Sequence, residues 1–380
     1  MSGSVEPIRV GVIGCGNVSL SDHVPAYLAL PDRYRLVAIA DPTPARLELG
    51  RALSGLGPAD CHPDSAALLA RQDLDLIDVC TPQHLHRDLA IAAVSSGRHV
   101  LSEKPLATTP RDAWAMVEAA EAAGRTLAIM HNYLLFHEVV RTLELIAAGE
   151  IGPVEVAILN WLAVRDHPGN AAYRPEWRHD VRQAGGGVLM DMLHIVYLAE
   201  ALLGSPIERV SAWVTARADD APVEDIAMIR FETATNAALV NVGWGMGMGG
   251  FGVSGPIGRI EVTYEDGGNG AFDPFDRLIL HGRSGRTEET GVPFDDGVRP
   301  LIADLADAIR RGRPPIATGA QGAHILEATL AAYASAATGT TWELPLQRGS
   351  PIYERGVAGL AELDLAPSSH IRQKRIFGVA

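Results

Sequence analysis

Glu103-Lys104-Pro105 follows the short apolar run His99-Val-Leu101. A lysine is ordinarily a solvated surface residue. At the end of a strand, in a loop that lines a ligand site, it can do chemistry instead. Its cation would polarise a hydroxyl or carbonyl oxygen of a substrate, or give up a proton as that oxygen gains charge. His84 and His86, in Thr81-Pro82-Gln83-His84-Leu85-His86, are the other candidates in this part of the chain. No acidic residue or cysteine is spaced to complete a metal set with them. A structural or cofactor-packing role is expected for this pair, and no metal is expected.

A second pattern says which ligand the lysine would face. Gly11-Val-Ile-Gly14-Cys-Gly16-Asn17-Val18-Ser19 joins an apolar run to a helix-like one. Gly14 permits a tight turn, and Gly16 lets the backbone approach a pyrophosphate. The helix start then offers its unpaired N–H groups to the phosphates. Ser19 stands where the fingerprint has its third glycine, and it is small enough to keep helix and strand close. Asp41 directly follows the second apolar run, where a carboxylate can bond both ribose hydroxyls and repel a 2′-phosphate. NAD is therefore expected ahead of NADP, although nearby Arg46 could receive such a phosphate. Taken alone, Asp41 before Pro42 could equally be a turn or helix-cap residue. Ligands bind beyond the carboxyl ends of parallel strands. Thr81, Pro82, His86, Glu103 and Lys104 are accordingly expected at the cofactor, with Asn17 and Val18 of the glycine turn.

These groups need elements that bring them to one edge. Apolar, β-rich runs at 8–13, 36–40, 76–80, 99–101 and 126–130 alternate with helical stretches, among them 44–53, 65–70, 86–95 and 110–123. Such alternation implies a parallel sheet covered on both faces. The rhythm changes after residue 130. A helix at 137–148 precedes a long strand at 154–164, then a loop to 187 and one helix to about 203. Strands at 209–218, 226–231 and 237–243 follow without helices between them, and 257–264 and 277–280 continue the set. That order suggests a largely antiparallel sheet. Helices at 301–310 and 321–336 come last. The glycine-rich stretch 243–258 reads as a mobile loop.

The 380 residues exceed one ordinary core and suggest two domains, divided as 1–130 and 131–380. Hydrophobic residues at 47% and charged residues at 21% describe a globular chain. A formal net charge of −14 argues against a general nucleic-acid or anionic-membrane surface. It leaves room for an anionic cofactor held at a helix start. Cys15, Cys61 and Cys80 are few, odd in number and without metal spacing, which fits a reducing cytoplasm better than secretion. No signal-peptide pattern opens the chain, and no run approaches the about 18 apolar residues of a membrane helix.

Together the motifs resemble the Gfo/Idh/MocA oxidoreductases, named for glucose–fructose oxidoreductase and inositol dehydrogenase. The resemblance lies in the glycine turn, Thr81-Pro82, Gly97-Arg-His-Val-Leu-Ser-Glu-Lys-Pro105 and Ile146-Ala-Ala-Gly-Glu-Ile-Gly-Pro-Val154. It continues in Trp177-Arg178, Gly185-Gly-Gly-Val-Leu-Met-Asp191, Ile257-Gly-Arg-Ile-Glu-Val262 and Arg313-Pro-Pro315 with Gly339 and Leu344-Pro345, and so spans nearly the whole chain. It implies an α/β protein: an N-terminal Rossmann domain and a C-terminal α/β domain with an open, mainly antiparallel sheet. That sheet commonly forms a dimer or tetramer interface in the family, so a homodimer or homotetramer is expected.

The resemblance also implies an active site of Lys104, Asp191 and His194. The family's histidine takes the substrate's hydroxyl proton while hydride leaves for the nicotinamide. Its lysine stabilises the oxygen, and its aspartate holds substrate and lysine. One departure matters. The family places the histidine four residues after the aspartate, whereas Asp191-Met-Leu-His194 spaces them by three and puts Ile195 in the usual slot. On a helix the two spacings differ by about 100°. Either a local irregularity restores His194, or Tyr197 or Lys104 is the base. Asp191 lies inside Val188-Leu-Met-Asp-Met-Leu193 and would need a partner if buried, with Lys104 the candidate.

The resemblance further implies that Asn132 and Tyr133 border the nicotinamide and substrate. Trp161, Arg165, Trp177 and Arg178 are the other expected substrate contacts, with core packing and surface ion pairs as the competing reading. The implied activity is NAD-dependent interconversion of CH–OH and C=O on a sugar, inositol or related polyol. The alternative is a family member that retains NAD and uses transient oxidation in glycoside cleavage or another net non-redox reaction. A nucleotide-sensing regulator would leave Lys104, Asp191 and His194 without a use.

Overall fold

The computed structural model describes residues 6–164, 176–245, 247, 249–264, 276–291, 295–373 and 376–378. Six parallel strands form the first sheet: β1 (Ile8–Ile13), β2 (Tyr34–Ala40), β3 (Cys61–His62), β4 (Leu76–Val79), β5 (His99–Ser102) and β6 (Leu127–Ile129). Their order is β3-β2-β1-β4-β5-β6. β4 is buried throughout and β1 nearly so, as apolar strands with helices on both faces must be. Strand order reverses between β1 and β4, the place where ligands bind beyond the carboxyl ends of such sheets. Ile13, Val79, Ser102 and Ile129 end their strands on that one edge. The glycine turn, Thr81, Lys104 and His131 therefore emerge side by side.

The second sheet has nine strands: β7 (Val156–Val164), β8 (Arg209–Thr215), β9 (Ile226–Glu232), β10 (Ala237–Trp244), β11 (Gly249–Gly255), β12 (Gly258–Thr263), β13 (Arg277–Gly282), β14 (Gly285–Thr290) and β15 (Trp342–Glu343). Only β7 and β10 pair in parallel; the other neighbours are antiparallel. Helices His194–Leu203 and Gly319–Thr338 pack against it. Ile158, Trp213, Met228 and Leu239 are exposed, with Leu239 opposite Ile158 and Met228 opposite Trp213. The last helices return to the first sheet. Tyr34 donates its hydroxyl to the Ile302 carbonyl at 2.7 Å, and Thr318 bridges to Ala128 of β6.

The α/β organisation matches the expectation, with three local differences. Residues 243–258 are not a loop throughout: β11 occupies their second half, between β7 and β12, with Phe251 and Val253 buried. A glycine-rich strand has too few side chains to show a period of two. The helix expected from 187 to about 203 is broken into Val188–Asp191 and His194–Leu203, and the axis turns by 45° between Val181–Asp191 and His194–Leu203. β3, β14 and β15 went unseen because two are only two residues long and β14 is mostly exposed and polar. Among the described residues, no single helix is long and apolar enough to cross a membrane.

Candidate active site

The glycine turn comes first, because it decides whether a dinucleotide fits. Gly14 has φ 100°, and a side chain there would collide with the Cys80 carbonyl, so β1 and β4 deliver their turns in contact. Around Gly16, by contrast, a Cβ would meet nothing within 4 Å, which leaves the backbone open to a ligand. Asp41 secures the turn: its carboxylate accepts the Cys15 and Thr43 N–H groups at 2.7 Å each. Lone pairs remain on both oxygens for ribose hydroxyls. Arg46 is buried and donates Nε to the Cys15 carbonyl at 2.7 Å, bracing the same turn. Val18 is exposed, Asn17 half-buried and Ser19 buried. Ser19–His23 forms one wide helical turn before Val24–Leu28. Thr81 Oγ1 and Gln83 Oε1 are buried without partners among the described residues. An open cradle, an acidic strand end and orphaned polar atoms at the same edge fit a dinucleotide.

Behind this edge lies a buried charge relay. His23 contacts Asp78 through Nδ1 at 2.8 Å and Glu103 through Nε2 at 2.9 Å. Cys80 Sγ stands 3.4 Å from His23 Nδ1. Burial opposes the His23 charge, but Asp78 and Cys80 outweigh it and raise its pKa well above the ordinary value. Burial likewise opposes ionisation of Glu103, yet the His23 bond and the His23 and Lys104 charges hold its carboxyl below the usual range. The other Glu103 oxygen accepts the Lys104 backbone N–H at 2.9 Å.

Lys104 then reaches across to the second domain. Its Nζ donates to the backbone carbonyl of Asp191 at 2.6 Å. Burial pushes its pKa down, Asp191 and Glu103 pull it up, and Arg178 pushes it down again, for a net lowering. The Asp191 carboxylate pairs with Arg178 at 2.7 Å, not with Lys104 as expected. The two side chains are each 17% exposed, so the pair sits at the wall of the cleft.

The helix carrying Asp191 is capped from outside. Glu224 accepts the N–H groups of Gly187 and Leu189 at 2.9 Å each and the Tyr333 hydroxyl at 2.6 Å. A side chain at Gly187 would collide with Glu224, and one at Gly186 with Tyr333. The glycine triplet thus lets a buried carboxylate replace the missing cap.

The helix breaks after Asp191, between the two residues whose spacing departs from the family. Ile195 and Val196 donate to the carbonyls three residues back, at 3.1 and 3.0 Å, which tightens the turn. Ile195, in the family's usual slot, faces the core. His194 stacks on Tyr133 at 3.8 Å and 14°, with Nδ1 2.6 Å from the Tyr197 hydroxyl. Burial, then the charges of Lys104 and His131, push the His194 pKa well down. His131 stacks on Tyr197 at 4.0 Å and is pushed down to about 3 by burial and by Lys104.

With this geometry in view, the relatives decide the family. The profile of the oxidoreductase family with an NAD-binding Rossmann fold matches residues 8–131, and that of the Gfo/Idh/MocA C-terminal domain matches 139–268. The chain belongs to the Gfo/Idh/MocA oxidoreductases. It is 31% identical over 291 residues to 1,5-anhydro-D-fructose reductase of Ensifer adhaerens, covering 73% of this chain and 82% of that one. It is 26% identical over 333 residues to levoglucosan dehydrogenase of Pseudarthrobacter phenanthrenivorans, covering 83% and 81%. The structure of aldose-aldose oxidoreductase from Caulobacter crescentus complexed with glycerol superimposes with a TM-score of 0.78 at 25% identity, covering 89% of this chain and 100% of that one. The Rossmann domain of this family is NAD-binding, and the chain is an NAD-dependent oxidoreductase.

Within this Gfo/Idh/MocA member, several expected contacts sit elsewhere. Trp161 is 1% exposed and packs against Phe251 and Tyr264, so it is a core residue and not a substrate contact. His86 is fully buried as a strut, with its nitrogens at 3.0 Å from the Pro105 carbonyl and 2.8 Å from that of Thr81. It shapes the cofactor loops without surface of its own. Asn132 donates to the Asp296 carbonyl at 2.6 Å, and Tyr133 is buried between Phe136 and His194. Trp177 and Arg178 stand together, 5.9 Å from guanidinium to ring, on a cleft that also includes Gln83, Asp191 and Trp244. Arg165 lies outside the described residues. Gln83, His23, Glu224 and Trp244 were not singled out as functional, because no local motif marks residues brought in from separate strands and loops.

Proposed function

We propose that the protein transfers hydride between NAD and a ring carbinol of a sugar, anhydrosugar or polyol. Lys104, Asp191 and His194 form its catalytic group, and Trp177 and Arg178 border the substrate. The names of the relatives support the substrate class: a levoglucosan dehydrogenase and an anhydrofructose reductase both act on sugar rings. The observation that carries the reading is the Lys104–Asp191 bond at 2.6 Å, which holds the Lys104 amino group at the strand edge where the glycine turn opens. Bound NAD supplies the hydride acceptor for oxidation, or the donor when reduced. Gly14, Gly16, Asn17, Val18, Asp41, Thr81 and Pro82 hold it, with Arg46, Glu103 and Asn132 supporting them. Lys104 stabilises charge on the reacting oxygen. Arg178 and Trp177 offer what a sugar needs, hydrogen-bond donors beside an apolar ring.

The exposed row Ile158, Trp213, Met228 and Leu239 supports a homo-oligomer built sheet to sheet. Three free cysteines support a reducing compartment, the cytoplasm. The test is purified protein with NAD and a panel of sugars, anhydrosugars and polyols, read as reduced-nicotinamide absorbance. Turnover of at least one ring carbinol is expected. No turnover in either direction, with keto sugars and NADH included, would overturn the reading.

A further inference from the structure

We propose that Tyr197 fixes His194 as its Nε2–H tautomer, so that the imidazole meets the substrate oxygen as a hydrogen-bond donor and the exchanging proton resides on Lys104. The proposal rests on the reading above for the identity of that oxygen. It stands on a count of hydrogens. The Tyr197 oxygen accepts the Tyr133 backbone N–H at 3.1 Å and lies 2.6 Å from His194 Nδ1. Tyr197 is 3% exposed, and among the described residues its hydroxyl has no other partner.

Two arrangements are conceivable. With hydrogen on Nδ1, the phenol oxygen accepts from both neighbours and its own hydrogen is buried unpaired. With Nδ1 bare, the hydroxyl donates to it, no hydrogen between the two rings is left buried and unpaired, and the ring's own hydrogen sits on Nε2. Buried polar hydrogens are costly to leave unpaired, so the second arrangement wins. Burial disfavours the charged ring, so one hydrogen is present, on Nε2. The arrangement is clamped: the His194 ring lies on Tyr133, and the Tyr197 ring lies on His131.

An Nε2 that already carries hydrogen has no lone pair with which to take a proton. On oxidation, the substrate O–H therefore breaks toward the free amine of Lys104, which becomes the ammonium. The electron pair of that O–H bond becomes the second C–O bond, and the C–H pair leaves as hydride to oxidised NAD. His194 Nε2–H donates to the oxygen throughout, and reduction runs the same path backwards. Burial favours the free amine that Lys104 needs.

The direct test is a long-range 1H–15N correlation spectrum of 15N-histidine-labelled, NAD-free protein at neutral pH, with His194 assigned by its loss in His194→Gln. Expected is a pyridine-type Nδ1 and a pyrrole-type Nε2; the reverse pattern would overturn the proposal. In Tyr197→Phe, checked for fold by NAD titration, the single-tautomer pattern should be lost. An unchanged pattern would remove Tyr197 from the role. In turnover, His194→Gln keeps an N–H donor near the Nε2 position but cannot exchange a proton. It should lose no more than about tenfold in kcat, against the about 10²–10⁴-fold expected when the proton-transfer group is removed in Lys104→Met. Equal losses in the two variants would contradict the division of roles. The spectrum needs no substrate, so a failed sugar panel would overturn the function while leaving the tautomer assignment standing.

Discussion

Lys104 bonds to the backbone carbonyl of Asp191, at 2.6 Å, while the Asp191 carboxylate belongs to Arg178, at 2.7 Å. The amino group is thereby located by a neutral dipole and tuned by charges at a greater remove. A direct ion pair would have held the ammonium firmly charged. This arrangement leaves its pKa lowered, with burial the largest cause.

Arg178 is one of the tuning charges, and its sign is testable. Its guanidinium lowers the Lys104 pKa, so Arg178→Met should raise it. Oxidation needs the free amine, and its acidic limb in the pH profile of kcat/KM should move to higher pH. The Michaelis constant should rise as well, since Asp191 loses its partner. A limb that stays in place would show that Arg178 serves only to bind substrate.

Glu224 links stability to pH. Burial pushes its carboxyl up to about 7 from an ordinary 4.5, despite opposing bonds from Tyr333 and the backbone. A carboxyl with a raised folded-state pKa gives stabilisation that is full below the ordinary value and lost as pH rises through the folded one. Between pH 4.5 and 7, the wild type should lose up to about 3 kcal/mol relative to Glu224→Gln. Urea unfolding at several pH values reads this directly, and a flat difference would contradict it. The variant should also lose turnover at every pH, because glutamine keeps one acceptor for the helix start and turns an N–H donor toward the other backbone N–H.

Much of this site was legible in the sequence, and the limit has a physical cause. The glycine turn, Asp41 and Lys104 each follow an apolar strand, and parallel strands must end on one edge. Asp191 and His194 were legible as residues but not as a geometry. The helix break that turns His194 inward leaves no proline or glycine at Met192-Leu193 to announce it. Glu224 was invisible because its role depends on a strand brought beside Gly187 by the fold. Trp161 misled for the opposite reason: an aromatic on a long strand looks the same whether it lines a cleft or fills a core.

Asp41 should govern cofactor choice. Its carboxylate holds the Cys15 N–H at 2.7 Å, directly after β2, and in the proposed reading it bonds the ribose hydroxyls. Asp41→Ser should weaken NAD binding about tenfold, or about 1.4 kcal/mol, and improve the use of NADP. An unchanged ratio of kcat/KM for the two cofactors would rule out this role.

The exposed sheet face should govern assembly. Met228→Glu with Leu239→Glu places two charges on the apolar row that stays open in the monomer. Light scattering after gel filtration should then report a monomer where the wild type gives a dimer or tetramer. A wild type that is itself monomeric would contradict the proposed interface.

The central claim is that Lys104 carries the reacting oxygen and its proton, and it has one direct measurement. NADH formation is followed under single-turnover conditions with a sugar that the wild type oxidises, in wild type and in Lys104→Met at equal NAD saturation. The expected result is a hydride-transfer rate lower by about 10²–10⁴-fold, with NAD affinity unchanged within about twofold. A variant that transfers hydride at the wild-type rate would contradict the account.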